Sequence, residues 1–173
     1  MRLHSSFVLV WALVLVAVGC AGLDPPERGP GRTTPLTVSA ALGESDARRD
    51  ASLRLVIEGL DADSSGQGAL ALAKYERAVR VDATNPFAYL ALARHHLEAS
   101  SLPEATAFLD QARSLFEAED RLGPEVGVWG IGLRAGIDRA AGREDRAAQR
   151  FERARQLAPA IWEDEWLSAA ELR

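Results

Sequence analysis

The chain of 173 residues contains one cysteine, Cys20, and one lysine, Lys74. A lone cysteine excludes an intrachain disulfide and leaves no thiolate set for a structural zinc ion. Formal net charge is −5, and no basic run follows the first residues. The clustered Lys and Arg of a nucleic-acid surface are therefore missing. No useful stretch of the mature chain alternates apolar and polar residues as a half-buried strand would. No Ser, His and Asp stand in a catalytic arrangement. Gly127, Gly130, Gly132 and Gly136 crowd one helical segment, but a phosphate loop needs a different spacing and a Lys, and neither is there. These absences leave no metal, no cofactor, no catalytic residue and no small-molecule substrate to expect. The chain reads as a binding protein and not as an enzyme.

What is present begins with a separate N-terminal unit. Arg2 precedes a continuous apolar run of 12 residues, 7–18, and Ala17-Val18-Gly19-Cys20 follows. A short apolar core before small residues reads as a secretory signal. The uncharged stretch 7–23 is 17 residues long, the lower limit of the ~17–25 needed to span a bilayer, so an uncleaved anchor is the alternative. The position of Cys20 resembles a bacterial lipobox. Val18 and Gly19 fit that pattern, and Ala17 departs from the Leu or Val usual there. The resemblance implies a signal peptide over 1–19 and a lipidated Cys20. The alternative is an ordinary signal peptide that happens to contain a cysteine. Ala21 stands where enteric lipoproteins retained in the inner membrane often carry Asp, which implies the outer membrane, facing the periplasm. Two or more acyl chains hold a protein on a membrane stably, whereas one does not. Residues 21–43 carry Pro25-Pro26, Gly29-Pro30-Gly31 and Pro35 and read as a linker.

From about residue 45 the apolar spacing is helical. Leu53, Val56, Ile57 and Leu60 form one stripe. Further helices are expected over 70–81, 87–99, 101–118, 124–142, 144–157 and 161–172. Asn85 before Pro86 reads as a cap, and Ser101-x-x-Glu104 as a capping box. The expected class is all-α, with helices paired through short turns in a domain covering 44–173.

Within that domain one spacing repeats. Ala71-x-x-x-Tyr75-x-x-Ala78 recurs 34 residues later as Ala105-x-x-x-Leu109-x-x-Ala112. A further copy, Ala147-x-x-x-Phe151-x-x-Ala154 followed by Pro159, stands 42 residues beyond the second. The extra 8 residues fall near 119–126. On the preceding helix of the middle copy, Tyr89, Leu92, Ala93 and His96 take the matching large, apolar, small and aromatic positions. The pattern resembles the tetratricopeptide repeat, a helical hairpin in which small residues allow close approach and large ones fill the gap. The resemblance covers repeats at about 52–85, 86–119 and 128–161, and implies an α-solenoid of about three hairpins with a closing helix at 161–172. In the third copy, strict register puts Arg134 and Asp138 where apolar residues belong. The better stripe is Val126, Trp129, Leu133 and Ile137, so that helix is expected to be longer or rotated.

The resemblance also implies a concave groove lined by the first helix of each hairpin. Its positions are Leu53, Val56, Leu60, Asp63, Phe87, Leu90, Arg94 and Glu98, with Trp129 on the third hairpin. Arg94 would donate to a peptide carboxylate, and Phe87 would anchor an apolar side chain. His95 and His96 point about 100° apart on a helix and do not clamp a metal. Glu163, Asp164 and Glu165 read as a solvated face between Trp162 and Trp166, whose i, i+4 spacing suits the closing helix. Gly132-x-x-x-Gly136 suits close helix contact. The implied role is a membrane-tethered periplasmic adaptor binding a protein or peptide in envelope assembly. The alternative is a permanent structural subunit of a larger envelope complex.

Overall fold

Helix ends in this chain are set by a few local devices. The computed structural model describes residues 32–173, and all its regular elements are helical. The Asp46 carboxylate accepts from the Arg49 amide at 2.9 Å and starts α1 (Ala47–Ser64). A three-residue turn leads to α2 (Gly68–Val81). Asn85 accepts from the Phe87 amide at 3.1 Å, and Pro86 supplies the first turn of α3 (Pro86–Glu98). The helices α4 (Leu102–Ala118) and α5 (Pro124–Ala140) also carry a proline in their first turn, where a missing N–H costs nothing. α6 (Glu144–Leu157) follows. Ser101 makes no side-chain cap hydrogen bond, so the expected capping box does not form.

The helices α1, α3 and α5 end identically. A residue with positive φ follows each: Gly66, Ser100 and Gly142. The next amide then reaches back to the helix, Gln67 to Ala62 O, Ser101 to His96 O and Arg143 to Asp138 O, at 2.8–2.9 Å. This is the Schellman closure, which satisfies carbonyls the helix end would otherwise orphan. The left-handed conformation suits glycine at two of the three positions, and Ser100 carries the strain at the third.

Each such turn folds a helix back on its successor. α1 packs along α2, α3 along α4 and α5 along α6. The first helices α1, α3 and α5 touch in sequence to form one layer, and α2 and α4 pack on the next pair. The repeated small–large–small residues are the pair interfaces. Ala71, Tyr75, Ala78, Ala105, Leu109, Ala112, Ala147, Phe151 and Ala154 are all buried, as are Leu92 and Ala93. Tyr89 and His96 are half-buried and pack on Phe108. Pro159 is exposed and opens a short helix, so its role is in the backbone and not in the core. The extra residues between the second and third pairs lengthen two helices: α4 has 17 residues against 14 in α2, and α5 has 17 against 13 in α3. Val126, Trp129, Leu133 and Ile137 are buried on α5, as the apolar stripe requires.

Both ends of the domain differ from expectation. Residues 33–42, read as linker, dock on the helices. Thr33 N–H bonds Leu157 O at 2.8 Å, Leu36 N–H bonds Glu125 O at 2.9 Å, and Val38 N–H bonds Leu172 O at 3.0 Å. Val38 and Ala41 are buried, and a 3₁₀ turn at Ser39–Ala41 sits against α1. This strap belongs to the folded unit. The closing helix expected over 161–172 is two short helices, α7 (Pro159–Trp162) and α8 (Ala169–Leu172). A positive φ at Glu165 and a capping box between Ser168 and Glu171 divide them. Among the described residues no helix is long and apolar enough to cross a membrane. The signal segment 1–19, Cys20 and the first part of the linker lie outside the described residues.

Candidate functional site

The residues expected to line an open groove are core. Leu53, Val56, Leu60, Phe87, Leu90 and Trp129 are at most 2% exposed, and Arg94 is 3% exposed. Glu98 alone of the set is exposed. The chain's own ends cover the first-helix layer. From α7 the chain runs back across it: Trp162 lies against Gly132 of α5, Leu167 is buried, and α8 packs on α1 and α3. The strap lies alongside, and the Trp129 indole donates to Leu36 O at 3.0 Å. Gly132 and Gly136 serve close packing as expected. A Cβ on Gly132 would overlap the Trp162 indole, and one on Gly136 would stand 2.8 Å from Leu97 Cδ2.

Arg94 is therefore engaged inside the protein and not offered to a peptide. It pairs with Asp63 of α1 and, at 3.0 Å, with Glu98. Asp63 also accepts from the Tyr75 hydroxyl at 2.9 Å and lies 3.1 Å from His95 Nδ1. Burial pushes the Asp63 pKa up, but the hydrogen bonds to His95 and Tyr75 and the charge of Arg94 outweigh it and hold the carboxyl below its ordinary value. Burial, then the neighbouring Asp63 charge, raises the Tyr75 phenol. This knot joins α1, α2 and α3. It makes His95 the tied histidine, while His96 stacks on Phe108 with ring centres 5.2 Å apart. Burial and the adjacent His95 lower the His96 pKa.

A second knot joins the other ends of the same helices. Arg49 of α1 meets Asp82 at 2.5 Å, Glu119 at 2.7 Å and Thr84 O at 3.0 Å. Buried Ser52 donates to Ala78 O and accepts from Asn85, both at 2.9 Å. Burial raises the Asp82 pKa, and the bonds from Arg49 and Thr84 bring it net below the ordinary range. Both knots are structural networks, and in the first the buried Arg94 Nε has no hydrogen-bond partner among the described residues. Among the described residues no group of three or more His, Cys, Asp or Glu could hold a metal ion.

Two features face outward. The first is a cleft of about 530 Å³ between α4, α5 and α6. Its apolar lining includes the exposed Leu122, the half-buried Ile131 and Leu157 and the buried Leu90, Leu109 and Phe116, and Arg113, Arg134, Arg150 and Arg153 also line it, with no acidic residue. Gly127 and Gly130 form part of its wall, and a Cβ added to either would meet nothing within 4 Å. The four α5 glycines thus divide by use: two admit neighbours, and two leave space. Their spacing, i and i+3 against i and i+4, was the available signal, though it does not say which face is covered.

The second is the turn between α7 and α8. Glu163, Asp164 and Glu165 were expected on a solvated helix face, but the chain leaves the helix after Trp162. The Glu165 carboxylate takes Arg139 at 2.8 Å and Arg155 at 2.5 Å, and its carbonyl accepts from Arg139 at 2.9 Å. Arg139 in turn lies over the Phe151 ring, 4.7 Å from its centre. Trp166 N–H bonds Asp164 Oδ1 at 3.0 Å. The result holds Trp166 at 42% exposure on a fixed turn; among the described residues only Leu70 and Leu122 are large apolar side chains similarly exposed. The sequence marks the two tryptophans but gives no sign that Trp162 turns inward and Trp166 outward.

Comparison with protein-family models, curated proteins and solved structures found no match.

Proposed function

We propose that this chain is a non-catalytic, tetratricopeptide-type adaptor, tethered by lipid at Cys20 and facing the periplasm from the outer membrane, where it assembles envelope proteins. The repeat assignment rests on residues 71–78, 105–112 and 147–154, which bury the same small–large–small pattern at three successive helix pairs. The tether rests on the lipobox-like sequence around Cys20.

The observation that carries partner binding is Trp166. With the groove face covered by strap and α8, a peptide has no open first-helix trough to enter. Trp166 instead offers a large aromatic anchor whose turn is already ordered by Arg139 and Arg155, so little conformational freedom is lost on binding. Strained backbone at Glu165 fits a functional turn, since such strain persists only where surroundings enforce it.

The test is proximity crosslinking of the full chain in its own cells, wild type against Trp166→Ala. The variant should lose its protein crosslinks while keeping its thermal midpoint, because the side chain is exposed. Unchanged crosslinks would sink Trp166 as the anchor. Cys20→Ala should abolish acyl labelling and membrane association, and retained labelling would overturn the tether.

A further inference from the structure

The cleft between α4, α5 and α6 is separate from the Trp166 turn, and its construction points to a different kind of ligand. Glycine in a helix interior costs about 1 kcal/mol against alanine. Gly132 and Gly136 offset that cost by admitting Trp162 and Leu97. Gly127 and Gly130 admit nothing. What they produce is room: a recess of about 530 Å³, within the ~300–1,000 Å³ typical of small-molecule sites.

The lining has a definite polarity. Its interior is aliphatic and aromatic, and its only ionisable side chains are four arginines, in a chain whose net charge is −5. Two of the four are occupied, Arg134 by Asp110 and Arg150 by Asp138. Arg113 on α4 and Arg153 on α6 are exposed, and neither has an acidic partner among the described residues. Both line the cleft, one from α4 and one from α6. Such a site needs one ligand that fills an apolar recess and brings its own negative charge to the walls.

We propose that this cleft binds an anionic aliphatic amphiphile of the long-chain carboxylate class, with the chain over Leu122, Ile131 and Leu157 and the head group held by Arg113 and Arg153. A guanidinium matches a carboxylate in bidentate fashion. The apolar floor supplies the length dependence, since each buried methylene adds to binding. The site is independent of the adaptor reading, and either can fail alone.

The test is calorimetric titration of the full chain with laurate below its micellar concentration, with dodecanol and acetate as controls. Laurate should bind saturably. Dodecanol should bind about tenfold or more weakly, the loss expected when charge-assisted hydrogen bonds are removed, and acetate should not bind measurably. The double variant Arg113→Ala/Arg153→Ala should weaken laurate about tenfold and leave dodecanol unchanged. Gly130→Leu should weaken laurate binding by narrowing the recess, while its thermal midpoint stays equal to or above wild type, which separates obstruction from misfolding. Absence of laurate binding, equal binding of acetate, or unchanged affinity in Gly130→Leu would each overturn the proposal. So would saturable binding of an acidic peptide, polyglutamate, by a chain that ignores laurate.

Discussion

At the scale of single residues, one substitution has opposite signs at two positions on equivalent helices. Gly59 of α1 faces Tyr75, and a Cβ there would overlap the phenol ring. Gly130 of α5 faces open space. Both replacements gain helix propensity of about 1 kcal/mol. Overlap with a fully buried ring costs about 1–3 kcal/mol. Gly130→Ala should therefore raise the denaturant midpoint, and Gly59→Ala should lower it or leave no gain; equal gains at both would refute the packing account. The Asp63 knot gives a larger effect. Asp63→Ala leaves Arg94 buried with Glu98 as its remaining partner, and removing one side of a buried pair costs about 3 kcal/mol. Urea unfolding of that variant reads the loss directly, and a change under about 1 kcal/mol would mean the knot contributes little.

At the scale of elements, the ends of the domain matter as much as the pairs. Leu172 is fully buried, and its carbonyl holds the Val38 amide. Leu172→Ala should cost about 3 kcal/mol. It should also release the Val38 and Ser39 amides to hydrogen exchange while α3 amides keep theirs, since local openings have their own free energies. Equal loss of protection in strap and α3 would mean that they unfold as one. The pairs themselves were legible because their signal is local: Ala71, Tyr75 and Ala78 lie within one helix and repeat at a fixed period. The start of α3 was legible for the same reason, since Asn85 and Pro86 act on their own backbone. The strap was not, because its order comes from Leu157, Glu125 and Leu172, all distant in sequence. Pro35 spoke for a linker, while the apolar Leu36, Val38, Ala41 and Leu42 gave the weaker opposing sign. The groove failed for a related reason: periodicity showed that Leu53, Val56 and Leu60 share a face, but not that strap and α8 would cover it.

For the whole molecule, the knots tie stability to acid. Asp63 and Asp82 are both held below the ordinary carboxylate value of about 3.9. A depressed folded pKa stabilises the native state above the unfolded value, and that contribution disappears as pH falls through the folded one. The thermal midpoint should fall slightly between about pH 7 and 5, where the lowered His96 protonates more readily in the unfolded chain, and more steeply below about pH 4, where Asp63 and Asp82 lose their charge. Asp63→Asn should start lower and fall less steeply, and a parallel curve would exclude Asp63 as a source of the acid limb. The union of the strap with α8 has a different consequence, in time. Val38 precedes every helix among the described residues, yet its hydrogen-bond partner Leu172 is the last residue of the last of them, α8. As the chain emerges, the three helix pairs can form one by one from neighbouring segments. The strap must wait until Leu172 exists, and contacts of such long separation are the slow ones. Until then the faces of α1 and α3 on which α8 and the strap pack are uncovered. The nascent chain thus displays for a short interval the trough that the finished protein hides, and any chaperone that reads apolar grooves has that interval in which to bind.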